Sequence, residues 1–361
     1  MLPELTSRLP TRRPPISPQR IVLILPCCIG DVVLATATLK ALRRGYPNAH
    51  IVWAVGSWSK AAIENHDLLD AVLDTGAEAL PVRSPSGFIR FVRQLRAGQF
   101  DLAVSLVRSP LMSLAVLLSG IPFRAGLDSA GRGFGYNLRA PIDPNARRNE
   151  ADLYLDVARV LGLSVDDCKA NVPVREADVM AVRERMEALG ITRYLVINPA
   201  GGSNPGMVMD VKRWPAANFA ELGNRLSKRL EAKIVLLGGP KDGHLLEAVQ
   251  GGLTGPAVTF AGVLSFPEIG ALAREAVVYI GNDTGLTHYA AAAGARTVMI
   301  LGPSDPVRYA PFTSNSVALW KPAEVHARGV AAGAPTGWDW ARDGISVDEV
   351  EARVMAFLGM C

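Results

Sequence analysis

Short apolar runs alternate with longer stretches of helical period along most of this chain. "RIVLIL", residues 20–25, predicts a buried strand, and "DVVLATATLKALRRGYP", residues 31–47, a helix stopped by Gly45 and Pro47. "HIVWAV" predicts a second strand and Asp70–Asp74 a short third. An amphipathic helix "SGFIRFVRQLRAGQ", a strand "FDLAVSL", a helix "SPLMSLAVLLSG" and a strand "PFRAGL" follow, then a helix over Glu150–Leu163. The polar stretch "SVDDCKANVPVREAD" reads as a linker. A second series begins with the strand "RYLVINP" and a loop, and continues with a helix "WPAANFAELGNRLSKRL", a strand "AKIVLLGGP" and a helix "DGHLLEAVQ". It closes with a strand "AVVYIGND", a helix "TGLTHYAAAAG" and a strand "RTVMILGP". The last segment, "SVDEVEARVMAFLG", is an amphipathic helix with Ser346 as its cap. Repeated βα units predict parallel sheets with helices on both faces. The expected class is α/β: two doubly wound domains in tandem, with ligands beyond the carboxyl ends of the strands.

Composition narrows this picture. The chain has 361 residues, 49% hydrophobic and 20% charged, enough to bury the cores of two soluble domains. The net charge of +4 suits anionic ligands or a membrane surface and is too small to argue for nucleic acid. No run of about 18 apolar residues is present, so no transmembrane helix is expected. Residues 1–18 are rich in proline and arginine without an apolar signal-peptide core, and read as a flexible arm for an anionic surface. The four cysteines, Cys27, Cys28, Cys168 and Cys361, form no CxxC and no Cys/His ligand spacing. Neighbours in a strand point to opposite faces, so Cys27 and Cys28 read as small apolar fillers rather than metal ligands. Nothing suggests a disulfide scaffold, and a cytoplasmic setting is expected.

Four strand-end loops carry candidate chemistry. In "PCCIGD" Gly30 permits a tight turn and Asp31 falls at the start of the first helix, as an ordinary N-cap or as a carboxylate at a cleft mouth. The GxGxxG of a dinucleotide turn is absent there. The loop over residues 198–215 holds Gly201, Gly202 and Ser203, then Lys212, Arg213 and Trp214 before a helix. Backbone amides, a hydroxyl and a cation suit a diphosphate, although a mobile surface loop has the same composition. Gly238 and Gly239 in "LLGGPKD" allow close approach of a flat ligand, and Asp242 can accept from a ribose hydroxyl, unless this is a plain βα turn. In "GNDTGLTHYAAAAGA", Asp283, Thr284, Gly285, Leu286 and His288 surround a helix start whose dipole favours phosphate. Ten arginines against three acids between Val82 and Arg148 give a local excess suited to an anionic acceptor. Gly30, Arg108 and Arg132 are the acceptor-side candidates, whereas Arg90, Arg93 and Arg96, at helical spacing, equally describe a solvated face.

"IGDVVLATATLKALRRGYP", "KRWP" after a glycine-rich loop, "LGGPKD" and "NDTGLTHYAAAAGARTVMILGPSDPVRY" together resemble glycosyltransferase family 9, the ADP-heptose:lipopolysaccharide heptosyltransferases. The resemblance covers roughly residues 19–320. It implies a GT-B fold, two Rossmann-like domains facing a central cleft, with the acceptor on the first and the nucleotide-sugar on the second. The implied boundaries are 19–170 and 171–345, with the helix in 346–361 crossing back onto the first domain. The implied reaction is inverting transfer without metal or other cofactor, from a donor expected to be ADP-heptose to a glycolipid or glycan acceptor. Asp31 matches the family's general base and Lys212 the lysine on the donor phosphates. Asp283, Thr284, Gly285, Leu286 and His288 match its donor-binding turn, Ser203 a phosphate contact, and Asp242 a ribose-binding acid that is usually glutamate. Another nucleotide-sugar, an acceptor other than lipopolysaccharide, a two-domain epimerase or a non-catalytic binder of nucleotide-sugars remain open readings of the residues.

Overall fold

The computed structural model describes residues 17–143, 145–321 and 338–360. The arm expected over residues 1–18 falls almost wholly outside them, as does Cys361. No helix among the described residues is long and apolar enough to cross a membrane.

The first half runs β1 (Arg20–Ile24), α1 (Ile29–Gly45), β2 (His50–Val55), α2 (Ser57–Lys60), β3 (Ala71–Asp74), α3 (Pro85–Ala97), β4 (Leu102–Ser105), α4 (Pro110–Leu118), β5 (Phe123–Ser129), β6 (Leu138–Ile142) and α5 (Glu150–Val160). Its six strands are all parallel, in the order β3-β2-β1-β4-β5-β6. β1 and β4 sit in the middle, covered on both faces, which is why they read as unbroken apolar runs rather than alternating ones.

The second half begins with a helix the periodicity did not reveal, α6 (Glu176–Ala188), whose Val179, Val182 and Met186 form a thin apolar stripe inside a charged segment. It continues with β7 (Tyr194–Asn198), the small hairpin β8 (Ser203–Asn204) and β9 (Met207–Val208), α7 (Ala216–Leu230), β10 (Lys233–Gly238), α8 (Gly243–Gln250), β11 (Ala257–Ala261) and α9 (Phe266–Glu275). Then come β12 (Tyr279–Asn282), α10 (Gly285–Ala292), β13 (Thr297–Ile300), α11 (Pro306–Tyr309), β14 (Ser316–Leu319), α12 (Trp340–Asp343) and α13 (Val347–Phe357). The second sheet, β11-β10-β7-β12-β13-β14, is also wholly parallel. Both orders change winding direction beside the first strand of their half, which leaves a crevice at the carboxyl ends on each side.

The halves meet along α1 and α10. Val33 and Ala62 of the first half enter the core that holds Tyr289, Ala290, Ala292 and Ala293. A Cβ on Gly285 would lie 2.6 Å from Ile29 Cγ2 and 3.2 Å from Gly30 N, so only glycine permits this contact of two helix starts. The alanines of α10 keep the remainder of the crossing short. The connecting segment is pinned to both halves: Asn171 N donates to Thr36 Oγ1 at 2.9 Å, and Val172 N to the Ala292 carbonyl at 3.0 Å.

Two expectations need correction. α13 does not cross onto the first domain; Val347, Val350 and Val354 pack with Leu222 and Leu226 of α7. Glu351 pairs with Arg225 and Arg229 on that same helix, so apolar stripe and acids both belong to the second domain. Cys27 and Cys28 are not two fillers on opposite faces. Their peptide is cis, the Cα atoms are 3.0 Å apart, and the side chains form a vicinal disulfide. The alternation of a strand does not apply there because β1 has ended at Ile24.

Candidate active site

A cavity of about 420 Å³ opens between the carboxyl ends of the two sheets. From the first half it is lined by Cys28, Ile29, Gly30, Asp31, Leu34 and Trp58, and from the second by the loops after β7, β10 and β11 and the start of α10.

The second-half wall is built around Asp283, which follows β12 and is buried. Lys212 Nζ donates to its Oδ2 at 2.7 Å, and Ser304 Oγ donates to the same oxygen at 2.7 Å. His288 Nε2 lies 3.8 Å from Oδ1. Burial raises a carboxyl's pKa and is the largest single influence here, but Lys212 and His288 together outweigh it and hold Asp283 well below the usual range. Thr284 is the N-cap of α10, and the first amides of that helix have no intrahelical acceptor.

Lys212 reaches this point because its loop is tied down. Asn282 accepts from Trp214 N at 2.9 Å and donates to the Pro199 carbonyl at 2.8 Å, clamping both ends of the loop to β12. Trp214 is buried, with Nε1 bonded to the Ile345 carbonyl, so the tryptophan of "KRWP" anchors rather than lines the site. Gly201 has φ +131° and a Cβ there would come within 2.9 Å of Thr284 Cβ, which makes it a close-approach glycine. Ser203 lines the cavity from the exposed hairpin. Gly238, Gly239 and Asp242 line it beside Leu237, Leu264 and Phe266, which offer apolar surface for a flat ring. Asp242 Oδ2 accepts from Gly239 N at 2.8 Å, so one oxygen braces its own turn.

On the first-half wall, α1 starts two residues earlier than its pattern suggests. Asp31 is therefore inside the first turn, its Oδ2 near Cys28 N, 3.4 Å, rather than the cap itself. Tyr154 Oη donates to Asp31 Oδ1 at 2.8 Å. Burial, then the negative charge of Glu150, raises the Asp31 pKa above that of an ordinary aspartate. Gly30 lets α1 approach α10: a Cβ there would be 3.0 Å from the His288 ring.

The structure thus brings Asp31, Lys212, Asp283, Thr284, Gly285, Leu286 and His288 to one cavity with both glycine-rich loops. It separates the two arginines chosen for the acceptor. Arg108 is not on the cavity wall; it pairs with buried Glu150, which also pairs with Arg308 of α11. Arg132 is exposed on the β5–β6 loop, away from the cavity lining. Residues that sequence reasoning missed include Tyr154, Glu150, Ser304, Asn282 and Trp58. Glu150 and Tyr154 are spaced i, i+4 on α5, a pattern that marks one helix face without saying what that face meets.

Three comparisons bear on this arrangement. The family model described as "Glycosyltransferase family 9 (heptosyltransferase)" matches residues 88–335. The chain is 25% identical to lipopolysaccharide heptosyltransferase 3 of Escherichia coli over 298 residues, 81% of this chain and 86% of that protein. Its fold resembles the glycosyltransferase family 9 protein of Veillonella parvula, with a TM-score of 0.78, 22% identity and coverage of 96% and 99% of the two chains. It also resembles E. coli ADP-heptose lipopolysaccharide heptosyltransferase II, with a TM-score of 0.75, 20% identity and coverage of 94% and 98%. The two facing sheets are the GT-B architecture of these neighbours.

Proposed function

The chain belongs to glycosyltransferase family 9, and from that premise we propose that it transfers heptose from ADP-heptose to a hydroxyl of a lipopolysaccharide-core acceptor, with inversion and without a metal. The observation that carries this reading is the placement of one raised-pKa carboxylate, Asp31, across a single cavity from Lys212 and the open amides of α10.

In this reading the diphosphate lies over the start of α10, where Lys212 and the amides of Gly285 and Leu286 receive the charge that grows as the glycosidic C–O bond breaks. That work is done by an ammonium and backbone dipoles, which is the basis for proposing metal independence. Asp283, itself braced by the Ser304 hydroxyl, holds Lys212 in place. The base and ribose fit the slot formed by Leu237, Gly238, Gly239, Leu264 and Phe266. The acceptor enters on the side of Asp31 and Trp58. Asp31 takes its proton as the oxygen attacks the anomeric carbon opposite the leaving diphosphate, a single displacement that inverts the centre. Positioned base catalysis of this kind contributes about 10²–10⁴-fold. The apolar contact of α1 with α10 holds donor and acceptor walls together, which supplies orientation. With no membrane-crossing helix described, access to a lipid-anchored acceptor is proposed to be peripheral, from the cytoplasmic side.

The test is transfer from ADP-heptose, in EDTA, to lipopolysaccharides truncated before and within the heptose region, read by mass spectrometry. A heptose-sized gain on one acceptor is expected, and Asp31→Asn should abolish it. Transfer only from a UDP- or GDP-sugar, or undiminished transfer by folded Asp31→Asn, would overturn the reading.

A further inference from the structure

We propose that Tyr154, backed by the Arg108–Glu150–Arg308 bridge, is a positioning residue that holds the Asp31 carboxylate toward the acceptor hydroxyl. The inference rests on Asp31 being the base.

Three observations carry it. First, Tyr154 is 3% exposed, yet its hydroxyl is not left to packing; it donates to Asp31 Oδ1 at 2.8 Å. With Cys28 N beside Oδ2, each oxygen of the carboxylate has one protein donor and one remaining lone-pair direction for an acceptor proton. A carboxylate gripped at both oxygens keeps its rotamer. Second, Tyr154 and Glu150 share one face of α5, which packs along α1. Buried Glu150 is held between Arg108 of the first half and Arg308 of the second. Arg147 and Asn149, just before α5, also reach across: Arg147 bonds both oxygens of Asp305, and Asn149 Nδ2 donates to the Ala310 carbonyl. The start of α5 is therefore set by the second domain, and the placement of Tyr154 against Asp31 depends on the donor-side half being seated. Third, the charged surroundings of Asp31 are unequal. Glu150 on α5 pushes its proton affinity up; the Tyr154 hydrogen bond and Arg108 pull it down. Across the cavity stand Lys212 paired with Asp283, His288 beside Gly30, and Tyr309. Removing Tyr154 and removing the Glu150 charge must then move Asp31 in opposite directions.

The experiment uses the full chain with ¹³C-labelled aspartate carboxyls, Asp31 being assigned by its loss in Asp31→Asn, beside pH–rate profiles of transfer from ADP-heptose. Tyr154→Phe keeps the ring and should fold. It is expected to shift the Asp31 titration and the acid limb of kcat/KM to higher pH. Its kcat at pH 7 should fall about tenfold, the order expected for losing a hydrogen bond to a charged group, with KM for the donor within about twofold. Glu150→Gln is expected to shift the Asp31 titration to lower pH. If the titration and acid limb stay in place in folded Tyr154→Phe while Asp31→Asn is inactive, the positioning role is overturned and the base survives. If Asp31→Asn retains transfer, the base reading falls and this inference with it. Should Glu150→Gln fail to fold, Tyr154→Phe alone decides.

Discussion

Replacing Lys212 by methionine keeps the aliphatic stem and deletes the ammonium that sits 2.7 Å from Asp283 Oδ2. The lysine side chain is 13% exposed and the aspartate 7%, so the pair is screened far less than a surface bridge. Removing one partner of a buried pair costs about 3–5 kcal/mol, because the other charge is left behind. Here Ser304 Oγ still donates to Asp283, and the cavity admits water where the ammonium was, which points to the lower end, ~3 kcal/mol. At roughly 2–4 °C per kcal/mol for a domain of this size, melting of the second domain should fall by ~6–12 °C. The pH dependence follows from the depressed pKa of Asp283. A carboxyl with a lowered folded-state pKa contributes stability above its unfolded value near 4 and loses it as pH falls toward the folded value. The gap between wild type and Lys212→Met should therefore be widest at pH 6–7 and narrow below about pH 4. Lys212→Met with Asp283→Asn should recover most of the loss, since no buried charge is stranded. Calorimetry should also show ADP binding weakened about 10–150-fold, the equivalent of one charge-assisted contact of roughly 1.5–3 kcal/mol. Scanning calorimetry at several pH values checks the first part. A melting gap independent of pH, or unchanged ADP affinity, would refute the account of Lys212 as both partner of Asp283 and phosphate contact.

Other perturbations separate the two walls. Gly285→Ala places a methyl group 2.6 Å from Ile29 Cγ2 and should push α1 and α10 apart, lowering kcat about tenfold or more with a smaller change in ADP affinity; unchanged kcat would mean the halves need not touch there. Val350→Ala in α13 removes fully buried methyl groups and should cost about 1–3 kcal/mol of second-domain stability; a variant melting like wild type would contradict the packing of α13 on α7. Asn282→Ala removes the clamp between β12 and both ends of the Lys212 loop, so protease cleavage within residues 199–213 should speed up several-fold; equal cleavage would deny the clamp.

Much of this molecule was legible in its sequence for a definite physical reason. A strand covered on both faces must be apolar throughout, and each helix between such strands must carry one apolar stripe, so the βα alternation, the parallel sheets and the loops at their carboxyl ends follow from local pattern. The donor-side candidates were likewise visible, because a helix start after a strand is where free amides and small residues must lie. α6 escaped because its apolar stripe is thin and broken by charges, and edge strand β11 because it is five residues long and only partly buried; α9 escaped although it carries an apolar stripe.

What depended on residues far apart in the chain was decided only by the tertiary structure. α13 carries an apolar stripe that either domain could accept, and the buried packing of Val347, Val350 and Val354 on Leu222 and Leu226 of α7 decides which one takes it. Arg108 looked like an acceptor contact because arginine suits anions, but Glu150, 42 residues away, is the anion it meets. Tyr154 meets Asp31 across 123 residues, and Arg308 meets Glu150 across 158. Periodicity reports the environment a residue needs, whereas the choice of partner is made by how the two sheets face each other. The chain's local pattern therefore determined the architecture and the second-domain wall of the cavity, and the packing of one domain on the other determined the surroundings of Asp31.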